Sequence, residues 1–326
     1  MASDQKEKVL PEYQSTPAGF RIAKMFSIDA FKSALTYEPR PDDFFIVTYP
    51  KCGTTWAQNI VGCIYREGKP FASALEFLSN SPFLEMAGAE AVKTMKRPGA
   101  IKLHLPFRVT PWSPHAKYLV VARNPKDCCV SFYHHTKNII GYKFSNGKFE
   151  DYFDLFMEGK VDYGDYFDFL QEWYDHRNDE NVLFLTYEQM KKDTRQCVLK
   201  IAEFMGQKYK AMLEHNETML NDVIKYSSFD FMKQNLNQQV AELAALPREF
   251  VLNHPDIPQG LKELLGGEDK FFDPSPNSTT FVRKGIVGDW RNHFTPEQNK
   301  RMEQKFWERT KGTDIPELWK DIFEKP

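Results

Sequence analysis

Cysteine is scarce in this 326-residue sequence, and its spacing suggests neither a metal site nor a disulfide framework. The five cysteines are an odd number and include no C-x-x-C pair. No hydrophobic run approaches the length that spans a membrane. Residues 1–8 are polar and charged, and no hydrophobic signal core follows them. These absences predict a cytoplasmic protein with reduced thiols, no bound metal and no membrane segment.

The sequence also lacks an excess of either charge, because 43 basic and 45 acidic side chains leave a formal net charge of −2. A general nucleic-acid binder needs a basic surface that releases counterions, and this composition does not supply one. Any anion-binding site must therefore be built locally. Aromatic residues make up 14% of the chain, which suits either a large aromatic core or a pocket for flat organic molecules.

What the sequence does contain is a series of short hydrophobic segments that alternate with helical patterns. Strands are predicted at 44–48, 99–103, 117–122 and 182–186, and helices from Thr54, over 126–137 and over 188–205. This alternation predicts an α/β fold, a single domain over residues 1–326 with a central parallel sheet flanked by helices. Lys51, Lys102 and Arg123 lie at the carboxyl ends of three of the strands, where such folds bind ligands.

Two regions depart from this alternation. Residues 1–40 are a mixed lead-in that ends among prolines. Residues 236–280 contain five prolines and the pair Gly266-Gly267, which predict a long loop with a short helix around 239–245. Helices are predicted again near 296–310 and 316–323.

The segment after the first strand has the features of an anion-binding loop. Pro50 and Gly53 mark a tight turn, and Thr54 or Thr55 can cap the helix that follows. Backbone N–H groups at a helix start, together with the Lys51 ammonium group, favour a phosphate or sulfate group. The sequence thus predicts a P-loop-like turn that binds a phosphate or sulfate group.

Four segments, in order along the chain, resemble the signatures of the cytosolic sulfotransferases. The first is the loop itself, residues 49–56, and the second is residues 102–106, which include His104. The third runs from Arg123 to Ser131, and the fourth is Arg283-Lys284-Gly285 followed by Gly288-Asp289-Trp290. The resemblance extends from about residue 41 to residue 299.

The resemblance implies a sulfonate transfer from 3′-phosphoadenosine 5′-phosphosulfate (PAPS) to a hydroxyl or amine, with release of the 3′,5′-bisphosphate (PAP) and without a metal. It makes His104 the general base, consistent with an imidazole that titrates near neutral pH. Lys51 would stabilise the leaving phosphate oxygen, where negative charge develops. Lys102 would contact the transferring sulfonate, and Ser131 would restrain Lys51. A buried core histidine and solvated lysines are the ordinary alternatives for these residue types.

The same resemblance assigns the residues that would bind PAPS. The 5′-phosphosulfate would be bound by the loop, that is by Lys51, Cys52, Gly53, Thr54 and Thr55. The 3′-phosphate would be bound by guanidinium groups, a hydroxyl, an ammonium group and a backbone N–H, all of which can donate to phosphate oxygens. The residues are Arg123, Ser131, Arg283, Lys284 and Gly285. The adenine would lie among Trp56, Tyr187 and Phe229, with Ser227 where threonine is common. Core packing remains the alternative for these aromatic residues.

The acceptor is predicted to be a small hydrophobic, flat hydroxyl or amine compound. Its pocket is expected to include His104 and hydrophobic side chains, with the 236–280 loop above it; the candidates are Phe20, Phe83, Phe107, Phe144 and Leu252. The protein is expected to be a monomer or a homodimer, because residues 291–300 diverge from the family's dimer segment, most notably at Pro296. Cys52, beside a lysine and a helix start, is expected to be sensitive to thiol oxidants.

Two other functions remain open from the sequence. A kinase or nucleotide hydrolase would explain the loop, but the G-x-x-x-x-G-K-[ST] pattern is absent because Lys51 precedes Gly53. A nucleotide-binding module without catalysis would explain the phosphate-binding residues, but it has no need of a base such as His104.

Overall fold

The computed structural model describes residues 8–255, 257–267 and 282–323. Its centre is a four-stranded parallel sheet in the order β4-β3-β5-β6. The strands are β3 (Phe44–Thr48), β4 (Ile101–Leu103), β5 (Lys117–Ala122) and β6 (Val182–Thr186). A separate antiparallel hairpin precedes the sheet, formed by β1 (Tyr13–Ser15) and β2 (Arg21–Ala23).

Helices make up most of the rest of the described chain. They are α1 (Ile28–Leu35), α2 (Thr54–Tyr65), α3 (Ala74–Asn80), α4 (Leu84–Ala87), α5 (Ala89–Lys93), α6 (Pro125–Asn138), α7 (Phe149–Met157), α8 (Tyr166–Asp175), α9 (Tyr187–Lys192), α10 (Thr194–Met205), α11 (Gln207–Glu214), α12 (Glu217–Tyr226), α13 (Phe229–Ala244), α14 (Arg248–Asn253), α15 (Gln259–Gly266) and α16 (Pro296–Arg309). Short 3₁₀ turns lie at Phe107–Val109, Ile140–Tyr142, Asp289–Asn292 and Ile315–Trp319.

The central strand β3 is buried along its whole length because hydrophobic helices cover both faces of the sheet. It pairs with β4 on one side, Val47 opposite Leu103, and with β5 on the other, Val47 opposite Val120. This shared register brings the carboxyl ends of three strands to one edge. The predicted α/β fold with a central parallel sheet flanked by helices is therefore confirmed.

Local capping explains where the predicted helix over 188–205 divides. Thr186 and Gln189 form a capping box at the start of α9. Asp193 then ends α9, and its side chain accepts a hydrogen bond from the backbone N–H of Gln196 to start α10. The single predicted helix is thus two helices that meet at Asp193.

The predicted long loop over 236–280 is wrong for residues 236–266. That stretch contains the second half of α13, then α14 and α15. Pro247 and Pro258 stand directly before α14 and α15, where a missing N–H and a fixed φ favour a helix start rather than break a helix. The remainder of the prediction, residues 268–280, lies outside the described residues.

The lead-in and the C-terminal region also have regular structure. The hairpin β1–β2 and α1 lie within residues 1–40. At the other end, Thr295 and Gln298 form a capping box and Pro296 occupies the first turn of α16. No helix in the described part of the chain is long and apolar enough to cross a lipid bilayer.

Candidate active site

A cavity of about 290 Å³ opens at the carboxyl ends of β3, β4 and β5. It brings together side chains that lie far apart in the sequence, which is expected where parallel strands end at one edge. Most of the predicted site residues line it: Lys51, Gly53, Thr54, Thr55, Trp56, Phe83, Lys102, His104, Arg123, Ser131, Tyr187, Phe229, Arg283, Lys284 and Gly285.

The turn between β3 and α2 adopts the backbone of an anion-binding loop. Lys51 has φ 71° and Gly53 has φ 101°, and Gly53 begins α2 without a side-chain cap. The first N–H groups of this twelve-residue helix have no intrahelical acceptor, and Gly53, Thr54 and Thr55 at its start line the cavity. A Cβ at Gly53 would lie 2.9 Å from the Tyr187 ring, so the turn also needs glycine for space.

Lys51 is surrounded by other cations. Burial in the cavity wall, followed by the charges of Lys102, Arg123 and Arg283, lowers the pKa of Lys51 to about 7. Its Nζ lies 3.3 Å from Nδ1 of His135, a residue of α6 that also lines the cavity. The Lys51 ammonium group is thus poorly stabilised as a cation, and an anion beside it would favour the charged form.

His104 has the tautomer that a base requires. Its Nδ1 lies 2.6 Å from the backbone carbonyl oxygen of Thr48, and a carbonyl can only accept, so Nδ1 carries the proton. Nε2 is left with a lone pair. Burial, with the nearby Lys102 charge, holds the pKa of His104 well below its usual range, so the ring is neutral at pH 7.

Lys102 stands beside His104 on β4. Its Nζ lies 3.8 Å from the centre of the Phe83 ring, and burial lowers the pKa of Lys102 to about 8. A cation over an aromatic face keeps its position without an acidic partner. Lys102 therefore supplies positive charge on the same side of the cavity as the neutral base.

Glu85 supports this strand end, and no sequence pattern marked it. The residue is fully buried at the start of α4, and its Oε1 accepts a hydrogen bond from the backbone N–H of His104 at 2.5 Å. Burial raises the pKa of Glu85 to about 8. Its carboxyl group fixes the main chain that carries the imidazole.

Arg123 connects the turn between β3 and α2 with the segment that begins at Val282. Its Nη1 donates to the carbonyl oxygen of Lys51 at 3.2 Å, and its Nη2 donates to that of Ile286 at 3.0 Å. The guanidinium group lies 4.4 Å from the centre of the Tyr187 ring. Its Nε is buried without a hydrogen-bond partner, so the group retains capacity for a further acceptor.

Two aspartates arrange the segment that begins at Val282. Asp289 accepts hydrogen bonds from Arg283 Nη2 at 2.6 Å and from Lys284 Nζ at 2.7 Å. Burial alone would raise the pKa of Asp289, but hydrogen bonds from Lys284, Asn292 and Arg283 lower it well below its usual range. Asp127 on α6 accepts hydrogen bonds from the backbone N–H groups of Gly288 and Trp290 and so anchors the segment to this helix.

Gly285 lies flat against an aromatic ring. It has φ 62°, and a Cβ there would come within 2.2 Å of the Phe229 side chain. Trp56 and Tyr187 meet edge to face nearby, with ring centres 5.3 Å apart, and the buried Trp56 Nε1 has no hydrogen-bond partner. Three aromatic faces and an unpartnered donor are chemistry that an adenine base can use.

Two predicted donor-binding side chains point elsewhere. Cys52 is fully buried, its Sγ lies 3.7 Å from Sγ of Cys128, and it does not line the cavity. Burial raises the pKa of Cys52 well above its usual range, which contradicts the expected activation of this thiol. Ser227 is also buried outside the cavity lining, and its hydroxyl donates to the carbonyl oxygen of Val223 within α12.

The acceptor side needs a larger correction. Among the predicted hydrophobic residues only Phe83 lines the cavity, whereas Phe20, Phe107, Phe144 and Leu252 do not. Phe107 stacks on His176, and Phe144 packs within the core against Tyr133 and Tyr152. The wall is formed instead by residues of α3, α4, α13 and α15: Ala74, Phe77, Leu78, Met86, Met232, Leu236, Val240, Leu243, Leu261, Leu264 and Leu265.

Comparison with known proteins decides the family. The model of the sulfotransferase domain matches residues 41–252 and 266–314, which is most of the chain. The chain belongs to the sulfotransferase family. It is 33% identical over 302 residues to human sulfotransferase 1C2, covering 89% of this chain and 90% of that one. It is also 33% identical over 289 residues to the amine sulfotransferase of Oryctolagus cuniculus, covering 87% and 85%.

Solved structures agree with this membership. Mouse sulfotransferase SULT7A1, crystallised with PAP, superposes with a TM-score of 0.69 and 26% identity over 95% of this chain and 98% of its own. Retinol dehydratase, crystallised with androsterone and PAP, superposes with a TM-score of 0.70, and at 21% identity it supports the fold alone. The protein is thus a sulfotransferase enzyme by family, as the sequence motifs predicted.

Proposed function

We propose that this sulfotransferase moves a sulfonate group from PAPS to a hydroxyl or amine of a small hydrophobic, flat acceptor, with His104 as the general base. The observation that carries the proposal is the Nδ1 hydrogen bond of His104 to the Thr48 carbonyl. It leaves a neutral Nε2 lone pair in the same cavity as Lys51 and Lys102. A nucleotide-binding module has no use for such a base.

The residues around the cavity fit the donor. The turn from Lys51 to Thr55 offers backbone N–H groups and a cation to the 5′-phosphosulfate. Arg123, Ser131, Arg283, Lys284 and the Gly285 backbone would bind the 3′-phosphate, in part by exchanging present carboxylate and carbonyl partners for phosphate oxygens. Trp56, Tyr187 and Phe229 would hold the adenine. When bound, PAPS supplies an activated sulfonate and a phosphate leaving group.

The chain's own part in the transfer follows from these positions. His104 accepts the acceptor's proton at Nε2 while Nδ1 remains bonded to Thr48, so the ring does not turn. Lys102 balances the charge of the sulfonate oxygens. Lys51 stabilises the charge that develops on the departing phosphate oxygen. His135, which the sequence did not single out, contacts Lys51 and can hold its Nζ beside the turn.

The test is transfer of labelled sulfonate from PAPS to a panel of phenols, alcohols and arylamines. The comparison variant is Lys51→Ala, with Lys69→Ala on the connection after α2 as the surface-lysine control. We expect labelled product with the native chain and the control, and a loss of about 100-fold or more with Lys51→Ala, since one electrostatic contact to the leaving group is removed. PAP binding without turnover on any acceptor would contradict the proposal and favour a binding module.

A further inference from the structure

The cavity contains one acidic side chain that the proposed chemistry does not use. Asp162 lines the cavity, and 2% of its surface is exposed. It directly precedes Tyr163, whose ring lies against His104 with centres 5.3 Å apart. Asp162 is therefore on the His104 side of the cavity, and it is a carboxyl group in a wall that is otherwise largely apolar.

Only half of this carboxyl group is satisfied. Oδ2 accepts a hydrogen bond from the Tyr142 hydroxyl at 3.0 Å, whereas Oδ1 is buried with no hydrogen-bond partner among the described residues. The hydroxyl of the next residue, Tyr163, is also buried without a hydrogen-bond partner among the described residues. No basic side chain of the described residues forms an ion pair with Asp162 at salt-bridge distance. A buried acid of this kind destabilises the fold unless something else binds it.

The environment of Asp162 points to a cationic partner. Burial raises the pKa of Asp162 to about 7, although the Tyr142 hydroxyl and the backbone N–H groups of Asp162 and Ala23 lower it in part. A neighbouring positive charge would favour the carboxylate form and would satisfy Oδ1. Lys51, Lys102, Arg123, Arg283 and Lys284 are already assigned to the donor and the reaction. Lys191, which also lines the cavity, lies beside Trp56, with its Nζ 5.8 Å from the centre of that ring.

We propose that Asp162 binds a protonated amine on the acceptor, at a position remote from the hydroxyl that receives the sulfonate. This inference rests on the proposed function, and it narrows the acceptor to hydroxylated arylalkylamines. The amine is then a recognition group and not the nucleophile. An ammonium group can donate to Oδ1 and to the Tyr163 oxygen together, which would satisfy both unpartnered atoms.

Matched acceptor pairs test the assignment. Tyramine and 4-ethylphenol share the phenol and the two-carbon chain and differ in the amine, and 5-hydroxytryptamine and 3-ethyl-5-hydroxyindole form a wider pair. Each is titrated into the PAP-saturated protein, so that binding is read without turnover. We expect the amine of at least one pair to bind about 10-fold or more tightly than its neutral partner, as for a hydrogen bond to a charged group.

Two variants separate recognition from packing. Asp162→Asn keeps the shape and removes the charge, so the preference for the amine should fall to about twofold or less while the neutral partner binds as before. Tyr142→Phe removes a hydrogen bond to Asp162 and keeps the carboxyl group, so the preference should remain. PAP affinity shows that each variant is folded.

The outcomes of these titrations test the role of Asp162 separately from the proposed sulfonate transfer. Equal binding of amine and neutral partner in both pairs, or an amine preference that survives Asp162→Asn, overturns the role of Asp162 even if 4-ethylphenol is sulfonated. Failure of the native chain to bind PAP overturns the proposed function, and the inference with it.

Discussion

The two ends of the cavity are built in different ways. At the donor end, the site consists of turns, a helix start and cations held by neighbouring groups, as with Arg123 between the carbonyls of Lys51 and Ile286. At the acceptor end, the wall consists of hydrophobic side chains from four helices, with Asp162 as a buried acid. The donor end is specified by backbone geometry and charge, and the acceptor end by side-chain shape.

This difference explains why the donor end suits one ligand that is the same throughout a family, whereas the acceptor end suits ligands that differ between its members. A backbone N–H group is kept by every substitution except proline, and a glycine against an aromatic ring tolerates almost no change. Hydrophobic wall positions accept many residues of similar size. A family can thus keep one donor while its members differ in acceptor.

The largest expected effect is at the border between the two ends. His104→Ala should lower turnover by about 100- to 10,000-fold, because the base is lost. PAP affinity and acceptor affinity should change little, since neither end is altered. Product formation and PAP titration measure the two effects separately.

The control for this change is His215→Ala, an exposed histidine after α11 whose Nδ1 contacts a carbonyl of its own helix. It should keep full turnover. If His104→Ala retained turnover at the control's level, the assignment of the base would be wrong.

A smaller effect is expected from a change confined to the donor end. Gly285→Ala would place a Cβ 2.2 Å from the Phe229 side chain and should weaken PAP binding by about 10-fold or more, since the ring must move from its position. Acceptor preference should be kept. Titration with PAP and a thermal unfolding curve measure binding and stability.

Gly312→Ala is the matched control, because Gly312 also has a positive φ, 82°, but has open space where the Cβ would be. Both variants should lose about 1 kcal/mol of stability from backbone strain, and only Gly285→Ala should lose PAP affinity. Equal PAP affinities in the two variants would show that the contact between Gly285 and Phe229 does not shape the donor site.

The smallest expected effect is an uptake of protons when PAP binds at the donor end. Binding of a neutral compound at the acceptor end should take up none. The pKa of Lys51 is about 7 and that of Lys102 about 8 in the free protein, so both are partly neutral at pH 8. An anionic ligand raises both, and PAP binding at pH 8 should take up about one proton. Calorimetry in buffers of different ionisation enthalpy measures this number.

At pH 6 both lysines are already protonated, so the uptake should fall close to zero. Binding of the neutral 4-ethylphenol to the PAP complex should take up none at either pH. An uptake at pH 6 as large as at pH 8 would mean that groups other than these lysines respond to the donor.

The sequence was more informative at the donor end than at the acceptor end. Lys51, Gly53 and Arg123 could be predicted because they follow strands within a few residues, and short-range patterns record that proximity. Cys52 belonged to the same motif, yet its side chain packs into the core against Cys128. A motif marks a turn, but only packing decides which of its side chains face the cavity.

The acceptor wall could not be predicted from local patterns. Phe20, Phe107 and Phe144 were plausible because they are aromatic, and aromatic side chains are equally common in cores. The prolines of residues 236–266 predict a loop, but Pro247 and Pro258 stand directly before α14 and α15 and begin these helices. Leu236 on α13 and Leu261 on α15 line the cavity because α13 packs against α3 and α15 packs against α4.

What the sequence determined by itself is the position of the four strands along the chain, the turn after the first of them and the four motifs of the sulfotransferase family, all of which depend on residues close together in the chain. What only the tertiary structure decided is the tautomer of His104, set by the Thr48 carbonyl, and the half-satisfied carboxyl group of Asp162. The physical reason is that the protonation and the hydrogen bonds of a side chain depend on its burial and on groups that are distant in sequence. Burial and such contacts exist only once the chain has folded.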